Sequence, residues 1–199
     1  MNPKAKASTI ADRVRLLLSL GFIVSILLVS GVLRIGVAQT QEREFDNQVP
    51  AHLPIKVRLK KEKERTVRDP TNEKWFRDFE LEVTNTGNKP IYYLSLLIVL
   101  PGVTIPNGTD EMGFGFKFGR RDLHDIETKA EPDDVAIKPG ETYVFNLSET
   151  RALSWERFMR REKKDAKKLV LVFQLMSFGD GTGFWGNEGM AVPHPPDSR

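Results

Sequence analysis

Two short stretches limit the fold of this chain more than any other. In "IKVRLKKEK", Ile55, Val57 and Leu59 alternate with Lys56, Arg58 and Lys60. In "FELEVTNTG", Phe79, Leu81 and Val83 alternate with Glu80, Glu82 and Thr84. A period of two sends the apolar side chains to one face of an extended backbone, which predicts two strands with one dry face each. "NTGNKP" (85 to 90) then supplies Asn, Gly and Pro for a tight connection, and leads into "IYYLSLLIVLP". The nearly continuous apolar character of that run predicts a central strand covered on both faces.

Further strands are expected around Phe116 to Phe118, in "TYVFNL" after the Pro139-Gly140 turn, and from Leu169 to Phe178. "SETRALSWERFMRREKK" breaks the alternation: Ala152, Trp155 and Met159 share a helical face, with Ser148 as N-cap. Five to seven strands, Pro/Gly turns and one late helix, without repeated strand-helix alternation, point to a mainly β fold. The expected architecture is an immunoglobulin-like antiparallel β-sandwich with one inserted helix.

Ahead of it, Leu16 to Leu33 is uncharged and apolar, and is preceded by Lys4, Lys6, Arg13 and Arg15. This is the pattern of an export signal with its basic end in the cytoplasm. As a helix, 18 residues reach about 27 Å, barely the hydrocarbon thickness of a bilayer. Gly36 and Ala38 in "GVAQ" meet the small-residue requirement of a signal peptidase. Two outcomes follow for residues 1–38: a membrane anchor, or a signal peptide cleaved after Ala38. Residues 39–53 are polar and read as a tether, 54–192 as the sandwich domain, and the Pro-rich 193–199 as a flexible tail.

Residues 1–38 hold five of the 30 Lys/Arg and one of the 27 Asp/Glu, leaving 25 basic against 26 acidic residues. The basic excess therefore belongs to the export segment, and a nucleic-acid partner is not expected. With no cysteine, no disulfide framework, thiolate metal site or cysteine nucleophile is available.

The segment "FELEVTNTGNKPIYYLSLLIVLP" (79 to 101) resembles the opening of small immunoglobulin-like modules of exported bacterial proteins, of which the FxLYD and CARDB types are examples. In those modules a strand ending in V-x-N-x-G turns into a long apolar strand. "IKPGETYVFNL" (137 to 147) is similar to their Pro-Gly turn before a strand. The resemblance spans about 100 residues, rests on turns and alternation, and implies the fold without a function.

Candidate chemistry concentrates in "SFGDGTGFWGNEG" (177 to 189), where Gly181, Gly183 and Gly186 have the spacing G-x-G-x-x-G. A dinucleotide loop needs these glycines to open a helix, and Pro193, Pro195 and Pro196 follow instead. Asp180, Thr182, Asn187 and Glu188 offer oxygen ligands for calcium, but Phe184 and Trp185 occupy the fifth and sixth positions of the loop. Asp180 and Glu188 offer a carboxylate pair for glycoside hydrolysis, with Trp185 as a sugar-stacking surface or as a plug for the end of the sandwich. In the plainer reading the glycines shape the turn that ends the last core strand, Asp180 bonds local amides, and Phe184 and Trp185 fold back as a cap.

His52, His124 and His194 show no ligand spacing, and no G-x-S-x-G turn is present. Neither metal nor cofactor is implied. Two basic clusters, residues 56–68 and 160–168, would bind anionic lipid or polysaccharide if they met on one face, and otherwise form a lysine-protected edge strand and a solvated helix end. The expectation is an extracytoplasmic envelope protein, in the bacterial periplasm or at the cell surface, held in the membrane through residues 16–33 if uncleaved. It would act as a non-catalytic binding or assembly module for an envelope protein or polysaccharide. The alternatives are a glycan hydrolase using Asp180 and Glu188, and a structural protein pairing through an edge strand.

Overall fold

A computed structural model describes residues 41–104, 111–162 and 164–193. Along the chain run β1 (Glu44–Asn47), β2 (Ile55–Leu59), α1 (Lys61–Arg68), α2 (Trp75–Asp78), β3 (Glu80–Asn85), β4 (Tyr93–Thr104) and β5 (Glu111–Phe118). A 3-10 turn (Arg121–His124), β6 (Thr142–Asn146), α3 (Glu149–Glu162), β7 (Lys168–Ser177), β8 (Gly183–Trp185) and β9 (Met190–Val192) follow. The fold is mainly β, in two sheets. One has the order β5-β4-β7-β8-β9 with β1 also on β7, and the other has the order β2-β3-β6.

The two strictly alternating stretches form the antiparallel pair β2 and β3, with Val57 opposite Val83 and Leu59 opposite Leu81. Their dry faces meet side chains of the larger sheet. Leu81 and Val83 lie in one core with Leu94, Ile98, Leu171 and Phe173, all fully buried. Each such side chain contributes about 1.5–3 kcal/mol by leaving water. Aromatic rings join the sheets where β5 faces β3 and β6: Phe79 stacks on Phe116 at 5.7 Å, and Phe116 lies 5.5 Å from Phe145. β4 takes the central position its apolar run predicts, between β5 and β7. At the β3–β4 connection, the buried Asn85 side chain donates to the carbonyls of Lys89 and Ile137 and accepts from Gly87 N–H. The amide thus replaces backbone partners that a tight turn cannot supply.

Several expectations are corrected. Residues 39–53 are not only a tether: within them Glu44–Asn47 forms β1, which pairs in parallel with β7 from Lys168 to Leu171, so the pairing is not wholly antiparallel. The inserted helix is not alone, because α1 and α2 also interrupt the strands. α1 falls in the charged run 56–68, whose strand ends at Leu59. It buries only Val67, and rests on good helix formers and on an Arg68–Glu64 pair at 2.9 Å, one turn apart. β5 starts at Glu111 rather than near Phe116, and β8 and β9 extend the large sheet beyond the expected last strand. α3 begins after Ser148 as expected, and buries Ala152, Trp155 and Phe158.

Among the described residues no helix is long and apolar enough to cross a membrane. The apolar stretch 16–33, the cleavage position after Ala38 and the tail from His194 lie outside the described residues.

Candidate functional site

The G-x-G-x-x-G stretch is the β7–β8–β9 connection. Gly183 faces the β7 backbone so closely that a Cβ there would stand 2.1 Å from the Met176 carbonyl oxygen. Gly186 holds φ +74 in the turn between β8 and β9. Strand contact thus accounts for Gly183 and turn geometry for Gly186.

Asp180 lies before β8 and Glu188 in the turn after it, so the three residues of β8 separate them. The two carboxylates therefore belong to the connections at opposite ends of β8. Asp180 accepts hydrogen bonds from Lys89 Nζ at 2.7 Å, and from Thr182 Oγ1 at 2.6 Å and N–H at 3.0 Å. Partial burial pushes its carboxyl up, but the hydrogen bonds from Lys89 and Thr182 outweigh this and hold it below its ordinary value. Such a group stays ionised and is committed to the turn, the opposite of a general acid. Glu188 is exposed.

Trp185 neither plugs the domain nor caps it. It is 55% exposed and stands in register between Leu175 on β7 and the exposed Met190 on β9. Its neighbour Phe184 does fold back, at 6.0 Å from Phe178 and 6.1 Å from His52. Adjacent residues on a strand point to opposite faces, so only one of the two aromatics can cap the core.

Among the described residues no three His, Asp or Glu gather in an arrangement that would hold a metal. His52 bonds the Gly189 carbonyl and His124 the Arg121 carbonyl.

Part of each basic cluster is paired with carboxylates within the fold. Arg58 pairs with Glu82, Lys60 with Glu80 and Lys63 with Asp78, while Lys168 pairs with both Glu44 and Asp46. Where the clusters approach each other, the buried Arg43 lies between them. Its guanidinium donates to the carbonyls of Val67, Asp69 and Ala166 and to the Asp165 carboxylate.

The open end of the three-stranded sheet carries a feature that strand prediction alone does not reveal. Asn85 N–H donates to Glu141 C=O, and Gly140 N–H donates back to Asn85 C=O. This sets the phase of the β3–β6 ladder. Tyr143 and Phe145 turn their backbone groups to β3, while Thr142, Val144 and Asn146 turn theirs away. Among the described residues no strand pairs on that outer side.

Other edges carry devices that discourage pairing. Asn47 caps the Val57 carbonyl on β2, β1 bears Glu44 and Asp46, and Arg151 caps the Gly115 carbonyl on β5. β9 is three residues long and is followed by Pro193. β6, "TYVFN", contains no charge, proline or glycine, and exposes Tyr143 and Val144. Beside it opens a cleft of about 650 Å³, lined by Phe116, Lys117, Tyr143, Phe145 and Arg151 among others. The usable signal in the sequence is a five-residue strand without charge, set between a Pro-Gly turn and a serine N-cap. No protein family, curated protein or solved structure matches this chain.

Proposed function

We propose that the chain is an extracytoplasmic, non-catalytic binding or assembly module, an immunoglobulin-like sandwich carried to the membrane by residues 1–38 and either anchored there or released. The observation that carries this reading is the β6 edge, a row of outward backbone donors and acceptors that no strand among the described residues pairs, without the blunting found on the other edges. Export is supported by the uncharged stretch 16–33 behind a basic N-terminus. A glycan hydrolase needs two carboxyl groups flanking one bond, whereas Asp180 is tied to Lys89 and β8 separates it from Glu188.

The test uses the full chain. Because it has no cysteine, Glu188→Cys places a single thiol on an exposed turn. A membrane-impermeant maleimide labels it in cells with an intact inner membrane if the domain is exported, and only after lysis if it is not. A photo-crosslinking residue at Val144 is expected to give a discrete adduct in the envelope, and one at Asn187 none. Labelling only after lysis, or equal adducts at both positions, overturns the reading.

A further inference from the structure

Resting on that reading, we infer that β6 receives an extended, acidic segment of a partner protein, added as a fourth strand to the three-stranded sheet. The main-chain requirement follows from the ladder: Thr142, Val144 and Asn146 present outward N–H and C=O groups that only another extended backbone satisfies in full. The charge requirement follows from the cleft. Its lining includes Lys117 and Arg151 and no acidic residue. Among the described residues neither cation pairs with a carboxylate, and Arg151 spends one Nη1 hydrogen bond on Gly115 C=O.

Period-two geometry then sets the pattern of the occupant. Side chains on the cleft side meet Lys117, Arg151 and the rims of Tyr143 and Phe145, and require carboxylates. Those on the other side lie beside Val144 and Thr142, whose hydroxyl bonds Thr84 at 2.7 Å, and suit small β-branched residues. A second copy of this chain fits less well, because pairing β6 with β6 brings Lys117 and Arg151 toward the same two cations.

The experiment adds a fluorescein-labelled octapeptide of alternating valine and glutamate, or its valine-lysine counterpart, to the full chain in detergent. The glutamate peptide is expected to bind saturably, at least tenfold more tightly than the lysine peptide. Binding is expected to slow hydrogen exchange at the amides of Thr142, Val144 and Asn146. Lys117→Glu combined with Arg151→Glu should reverse the preference between the peptides. Val144→Pro removes an outward N–H that the native ladder does not use, and should abolish binding, while Val144→Thr retains it. If Val144→Pro lowers the Tm, the charge-reversed pair carries the test.

Equal affinity for the two peptides overturns the acidic assignment. Protection elsewhere overturns the edge, and protection of the same amides by self-association without peptide assigns the edge to a second copy. Failure of both peptides to bind overturns the inference, while the crosslinking at Val144 judges the binding-module reading separately.

Discussion

Arg43 and Asp165, 122 positions apart, meet at 2.5 Å between Nη2 and Oδ2. The same carboxylate accepts from Trp75 Nε1 at 2.9 Å, and the Arg43 guanidinium lies 4.5 Å over the Trp75 ring. One buried cation therefore joins the segment leading into β1, the end of α1, the start of α2 and the entry to β7. Burial draws the Arg43 pKa below its ordinary value, and Asp165 offsets only part of this. The guanidinium keeps its charge because it is matched on nearly every side.

Arg43→Ala is expected to destabilise the domain by about 3–5 kcal/mol, since three backbone carbonyls and a carboxylate lose their donor together. A chain begun at Ala51 loses Arg43 and β1 at once, and should unfold at lower urea still. Urea titration followed by tryptophan fluorescence reads both. A loss under 1 kcal/mol for Arg43→Ala would show that this node is not a structural centre.

Two glycines of the β7–β9 connection, Gly183 and Gly186, should separate by cause. At Gly183 a Cβ meets backbone at 2.1 Å, so Gly183→Ala must push β8 off β7 and is expected to cost roughly 2–3 kcal/mol. At Gly186 the nearest atom to a Cβ is Met190 Cε at 3.7 Å. Gly186→Ala therefore bears only the left-handed backbone penalty of about 1–2 kcal/mol. Equal losses at the two sites would contradict the contact described at Gly183.

β2, β3 and β4 were legible because alternation or continuous apolarity persists over five or more residues and survives any pairing. β1 was not, since "EFDN" is too short for a period, and Arg43 looks like every other charged residue until distant backbone closes over it. α1 was hidden for the opposite reason: its single buried residue, Val67, leaves no apolar stripe. At the candidate site, Asp180 was readable as a turn aspartate from local chemistry alone. Which aromatic of Phe184 and Trp185 faces the core depends on strand register. The openness of β6 depends on long-range pairing, which no local pattern encodes.

The tryptophans offer a direct contrast between exposure and anchorage. Trp185→Ala removes a side chain that is 55% exposed, and is expected to change stability by less than about 0.5 kcal/mol. Trp75→Phe keeps most of the buried ring but deletes the donor to Asp165, at a cost of about 1.5–3 kcal/mol for a hydrogen bond to a charged group. Denaturant midpoints of the two variants should differ in this order. The reverse order would mean that Trp185 does cap the core.

Acid should weaken the connection between β7 and β8 through Asp180. Its carboxyl is held below the ordinary value by Lys89 and Thr182 despite the opposing effect of burial, so the folded-state pKa lies below the unfolded value near 3.9. A depressed pKa contributes stability that is fully present above the unfolded value and is lost as pH falls through the folded one. Asp180→Asn should therefore be less stable than the parent chain at pH 6, with the gap closing as the pH drops below about 4. Lys89→Met should likewise fall below the parent chain at pH 6, because the Nζ to Oδ2 contact at 2.7 Å is lost. Unfolding midpoints of the three chains between pH 6 and pH 2 measure this, and a gap that stayed constant throughout would show that Asp180 is not held ionised by these partners.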